Sequence, residues 1–160
     1  MVYIPDIVNY QPFYIQTDAD SAAIDIKSQW GIIVMTNPDI VLPKAKEPYK
    51  NEWLDENGDD EYNAQMFYEA MEISVSIYVS ADTPAEVRQI KDRLFEKIQQ
   101  GEFKIFFSAM QRGYRKVRYV SETIDRTILS KRHTEISTLT FKVNDPITRV
   151  NLIGNKLVEV

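Results

Sequence analysis

The sequence predicts an α+β domain: an antiparallel β-sandwich or split barrel with one main helix (about 84–100) packed on the sheet. Three observations lead there. Met71 to Ser80 alternate apolar and polar residues with a period of two. Thr83 to Gly101 carry a helix start signal, an apolar stripe and a stop signal. Strand-like segments lie on both sides of that helix along the chain.

The first segment, to about Gln29, is mixed, with strand-like alternation at Ala23-Ile-Asp-Ile-Lys27. Trp30 to Met35 is a short apolar run read as a buried strand, ended by Thr36-Asn-Pro-Asp. From Pro43 to Asn63 the composition turns to that of a long loop, with Pro43, Pro48 and an acidic turn over Asp55 to Glu61. A structureless loop of this length is uncommon inside a compact domain. It is therefore either pinned by its own aromatics, Tyr49, Trp53 and Tyr62, or ordered by a partner. In the strand that follows, Met71, Ile73, Val75, Ile77 and Val79 form the apolar face, as in an antiparallel strand wet on one side.

Thr83-Pro84-Ala85-Glu86 reads as a capping box with proline at the first helical position. Val87, Ile90, Leu94 and Ile98 then fall on one stripe, and Gly101 supplies the stop. Burial of that stripe contributes about 6–12 kcal/mol before conformational entropy is subtracted. Phe103 to Phe107 and Arg115 to Val120 read as a hairpin about a turn at Gln111 to Tyr114. A strand from Glu122 to Leu129, a polar turn at Ser130 to His133 and a strand from Ile136 to Val143 follow, the last ended by Asn144-Asp-Pro146 because proline cannot continue a ladder. A final strand lies within Asn155 to Val160. The 160 residues are the length of one domain, taken as 1–160 with the long loop at about 43–63.

Composition excludes several classes. Hydrophobic residues make up 44% and charged residues 27%, a globular composition. With no cysteine, disulfides, thiolate metal sites and cysteine nucleophiles are ruled out. The first residues have neither a basic region nor a long apolar core, so they do not read as a secretory signal, and no run approaches a membrane span. A formal charge of −5 argues against coating DNA, which needs clustered Lys and Arg.

The search for chemistry returns little. His133, the only histidine, sits in a turn with no Gly-x-Ser-x-Gly elsewhere to suggest a triad, and reads as an exposed turn residue. Asp55, Asn57 and Asp59 match three ligand positions of an EF-hand calcium loop. Asp60 and Met66, however, stand where the loop needs glycine and a bidentate glutamate, so a solvated acidic turn is preferred. The five glycines are too scattered to cradle a phosphate. Arg112, Arg115, Lys116 and Arg118, interleaved with Tyr114 and Tyr119, are read either as a nucleic-acid patch or as charges that blunt a strand edge, with the acidic balance favouring the second. No catalytic, cofactor or metal residues are assigned. The aromatics fill either a core or an interface, and Trp53 in its acidic loop is the hardest to place in a core.

Lys46-Glu-Pro-Tyr-Lys-Asn-Glu-Trp-Leu-Asp-Glu-Asn-Gly-Asp-Asp-Glu-Tyr62 resembles a signature of tail proteins in prophages of Bacteroides-like bacteria. The strand at Met71–Ser80, the helix from Thr83, Gly101-Glu-Phe-Lys, Val117-Arg-Tyr-Val-Ser121 and Phe141-Lys-Val-Asn-Asp-Pro146 fit the same family. The Trp-then-acidic-Gly element is also similar to the N-terminal region of distal tail proteins, which share a fold with tail-tube proteins. The resemblance covers about residues 40–150. It implies a non-catalytic virion protein of a tailed phage or prophage that self-associates as a ring, commonly a hexamer. It further implies other tail proteins as partners, a place in the virion tail and a bacterial cytoplasmic stage before assembly. No membrane, no sequence-specific nucleic acid and no cofactor are expected. The candidate subunit-interface loop comprises Tyr49, Trp53, Asp55, Asp59 and Tyr62. A small-ligand or carbohydrate-binding β module is the alternative, suggested by the aromatics.

Overall fold

One long hairpin organises the chain. In a computed structural model, which describes residues 12–36, 38, 42–48, 50–52, 54, 58–61 and 66–160, β8 (Arg112–Leu129) and β9 (His133–Ile153) pair antiparallel from the Leu129–His133 tip to Gly113–Val150. The preceding elements are β1 (Phe13–Gln16), β2 (Ile24–Asp25), α1 (Ile26–Trp30), β3 (Ile33–Thr36), β4 (Lys50–Glu52), β5 (Asp59–Glu61), β6 (Met71–Ala81), α2 (Pro84–Ile98) and β7 (Phe103–Phe107). Strand β10 (Lys156–Glu159) follows. The architecture is mostly antiparallel sheet, and helix is the minor component.

Strand order is β2-β1-β7-β8-β9-β6-β3, with β10 also on β9. The registers divide this path at the hairpin. β6 pairs with β9 from Met71–Val143 to Ala81–His133, whereas β10 takes the same edge of β9 from Val150 to Ile153. β7 pairs with β8 only from Arg112 to Val117. The hairpin thus serves one set of strands near its base and another near its tip. Register shifts at Tyr114/Arg115, Tyr119/Ser121 and Ile124/Arg126 bend it between them, since each extra residue strengthens local twist. The sheet folds over as a result. Phe13 on β1 reaches Phe141 on β9, three strands away, with ring centroids 6.4 Å apart. A flat sheet would separate those strands by roughly 14 Å.

The core lies inside this fold. Phe13, Phe107 and Phe141 are fully buried with Ile15, Ile77, Ile105 and Val143. Ile73, Val75, Ile77 and Val79 are buried, as the period of two predicts. Tyr78, on the face predicted to be wet, is buried too, opposite Ile33 of β3 and Ile136 of β9. Helix α2 covers the core with Val87, Leu94 and Ile98, and Ile90 packs at its margin. Thr83 caps it, its Oγ1 accepting from the Glu86 N–H at 3.3 Å, while Glu86 Oε2 accepts from the N–H of Asp82. Lys97 ties the far end to Asp20 at 2.6 Å.

Three elements depart from the sequence reading. The alternation at Ala23–Lys27 gives only a two-residue strand. Asp25 caps the short helix α1 by accepting from the Lys27 N–H at 3.1 Å, and Gly31 closes it at φ 73°. Local capping overrides the periodicity there. The strand expected to break at Ser121 continues unbroken through β8. β9 also does not end at Asn144-Asp-Pro146. Arg115 pairs with Asp145 and Tyr114 with Arg149, so Pro146 sits in a bulge, where a strand tolerates proline.

Asp145 holds that bulge. Its Oδ1 accepts from the N–H groups of Ile147 and Thr148, both at 3.1 Å, and its Oδ2 from Arg115 Nε at 2.5 Å. Burial would raise its pKa, but the Thr148 N–H, Arg115 and the Ile147 N–H together outweigh that and hold the carboxyl well below the ordinary value of 3.8. A depressed folded pKa gives stabilisation that is complete above the unfolded value and is lost as pH falls through the folded one. Asp145→Asn therefore costs about 1–3 kcal/mol at neutral pH, and its deficit shrinks as pH drops below about 4. Urea unfolding of both proteins at pH 7 and pH 3 checks this; an equal deficit at both would contradict it.

Gly113, at the first rung of the hairpin, sits between two backbones. A Cβ there would lie 2.5 Å from the Val150 carbonyl oxygen and 2.7 Å from that of Ile105. Neither can move without disturbing β7 or β9. Gly113→Ala should cost about 1–3 kcal/mol, read as a lower urea midpoint.

Candidate functional site

The outer half of β8 forms an open sheet edge. Beyond Val117 no described strand pairs with its second edge, so Arg118–Leu129 bonds to β9 alone. The residues are good strand formers, with Val120, Thr123, Ile124, Thr127 and Ile128 all β-branched. Several apolar side chains here face solvent: Val120 is 39% exposed, Ile124 53% and Leu129 76%. Ile124 lies opposite the fully buried Ser137, and Leu129 opposite His133, on the face that α2 covers further in. The core-like face therefore runs on past the helix that caps it. A long unpaired edge with exposed aliphatics is a template for strand pairing with another chain.

Under α2, this face turns polar. Lys91 Nζ contacts Glu135 at 2.5 Å and Glu122 at 3.1 Å, all three side chains being largely buried. His133 Nε2 lies 3.3 Å from Glu135, and Ser137 donates to Glu122 at 3.3 Å. Burial opposes the charge on Glu135, but hydrogen bonds from Lys91 and His133 outweigh it and hold the carboxyl below its usual range. His133 is thus a mostly buried strand residue rather than an exposed turn residue, and its Nδ1 is buried with no hydrogen-bond partner among the described residues. The network anchors α2 over β8 and β9. No group of three or more His, Cys, Asp or Glu among the described residues is placed to hold a metal ion.

The long loop contains structure. An Ala45–Tyr68 bridge closes its neck, with the Lys46 N–H donating to Phe67 O and the Glu69 N–H to Lys44 O, both at 2.8 Å. Further out, β4 and β5 pair as a short ribbon, Asp59 opposite Glu52. Of the candidate interface residues, only Asp59 falls in this ribbon; Tyr49, Trp53, Asp55 and Tyr62 lie outside the described residues, as does Asn57 of the calcium-like pattern. Leu42, Leu54, Met66 and Phe67 are exposed around the ribbon and its neck.

The basic patch is partly consumed within the chain. Arg115 bridges Asp145 and Glu159, and Arg112 stacks over Tyr114 at 4.9 Å and donates to Pro146 O. Beside it lies a groove of about 400 Å³ between the neck of the long loop and the β7–β8 turn. No helix among the described residues is long and apolar enough to cross a membrane.

The free edge of β8 was not singled out from sequence. Its signal was available in Ile124, Ile128 and Leu129, but reading two strands where there is one hid the length of the edge.

No protein-family model and no curated protein matches the chain. Among solved structures it is similar to the crystal structure of the SPP1 Dit protein, described as a paradigm of the hub adsorption apparatus in phages that infect Gram-positive hosts. The TM-score is 0.58 at 20% identity, over 87% of this chain and 52% of that one. At that identity the likeness is one of fold, and this chain spans about half the length of the Dit chain.

Removing Lys91 leaves two carboxylates facing each other beneath α2. Lys91→Ala should cost about 1–3 kcal/mol, below the figure for a fully dry pair because water reaches these groups. Adding Glu135→Gln should recover part of the loss. Denaturant titration of the two variants measures it; an unchanged midpoint in Lys91→Ala would contradict the anchoring role.

Proposed function

We propose that this chain is a structural, non-catalytic protein of a phage or prophage tail that self-associates into a ring, with six copies the preferred count. The observation that carries the reading is the open, partly apolar edge of β8 on a fold similar to Dit. A ring built of one chain needs two different surfaces that meet head to tail. The β8 edge is one. The loop around 43–63, with Tyr49, Trp53, Asp55, Asp59 and Tyr62, is the proposed complement. On this reading 1–160 acts as one domain, the folded-over sheet is a split barrel, and other tail proteins stack on the ring's two faces. The protein is made in the bacterial cytoplasm and ends in the virion tail. Attribution to a Bacteroides-type phage rests on the Lys46–Tyr62 signature.

A small-ligand-binding β module is the second reading. The groove beside Arg112 favours it, because its volume falls in the range of small-molecule sites. A ligand-shift melting screen separates the two, since binding to the native state raises the melting temperature.

Light scattering on the purified chain, raised stepwise in concentration, tests the ring. A multiple of the 18.6 kDa chain mass is expected, with rings visible by negative-stain microscopy. Ile124→Lys with Leu129→Asp should weaken association at least about tenfold while leaving the melting temperature nearly unchanged, because both side chains are exposed in the isolated subunit. A monomer at every concentration, with no rings, would overturn the proposal.

A further inference from the structure

We draw no further inference here: the strongest candidate, the largely buried Lys91–Glu122–Glu135–His133 cluster beneath α2, belongs to the site already described, where its contacts anchor the helix.

Discussion

The fold depends on one bent strand pair. β8 and β9 stay hydrogen-bonded from the Leu129–His133 tip to the Gly113–Val150 base, and β7, β6 and β10 pair directly with their edges. A straight hairpin of this length would hold its partners in one flat sheet, with Phe13 and Phe141 too far apart to share a core. The bulges at Tyr114/Arg115, Tyr119/Ser121 and Ile124/Arg126 remove that restriction. They turn the strands that pair near the base toward the strands that pair near the tip, so that β1, β6, β7 and α2 close over one cluster of aromatic and aliphatic side chains. Asp145 fixes the first bend by satisfying two backbone donors and Arg115 at once.

The same geometry creates the surface that the proposed assembly uses. Because β7 stops pairing at Val117, no described strand covers the outer edge of the rest of β8. Folded proteins commonly blunt such edges with charge or cover them. Here the charges nearest the core, Glu122 and Glu135, are neutralised from above by Lys91, while Val120, Ile124 and Leu129 remain in water. An edge of this kind is a liability for a chain that stays alone and an asset for one that assembles.

Strong local signals were legible in the sequence. The alternation of Met71–Ser80 became β6, and Thr83, Pro84 and Glu86 set the start of α2 where their capping chemistry requires. Signals that depend on distant pairing were not. Pro146 looked like a terminator because a bulge stabilised by Asp145 and Arg115 exists only after the strands have met. Asp25 and Gly31 converted an alternating segment into a short helix through caps worth more than its periodicity. His133 read as a turn residue because its place in the sheet depends on Ala81 of β6 and Leu129 of β8 pairing with it. The open edge escaped notice because edge or centre is a property of the neighbours, which no single strand encodes. The loop residues Tyr49, Trp53, Asp55 and Tyr62 stand as a sequence-based proposal, with only Asp59 placed in the fold.

Hydrogen exchange across a concentration series tests the central claim most directly. If the outer half of β8 is the assembly edge, the outward amides of Arg118–Leu129 exchange quickly in dilute solution and become protected as the oligomer forms, while the centre of β6, paired with both β9 and β3 at Ser76–Tyr78, keeps constant protection. An oligomer that forms with no change in this segment would contradict the account.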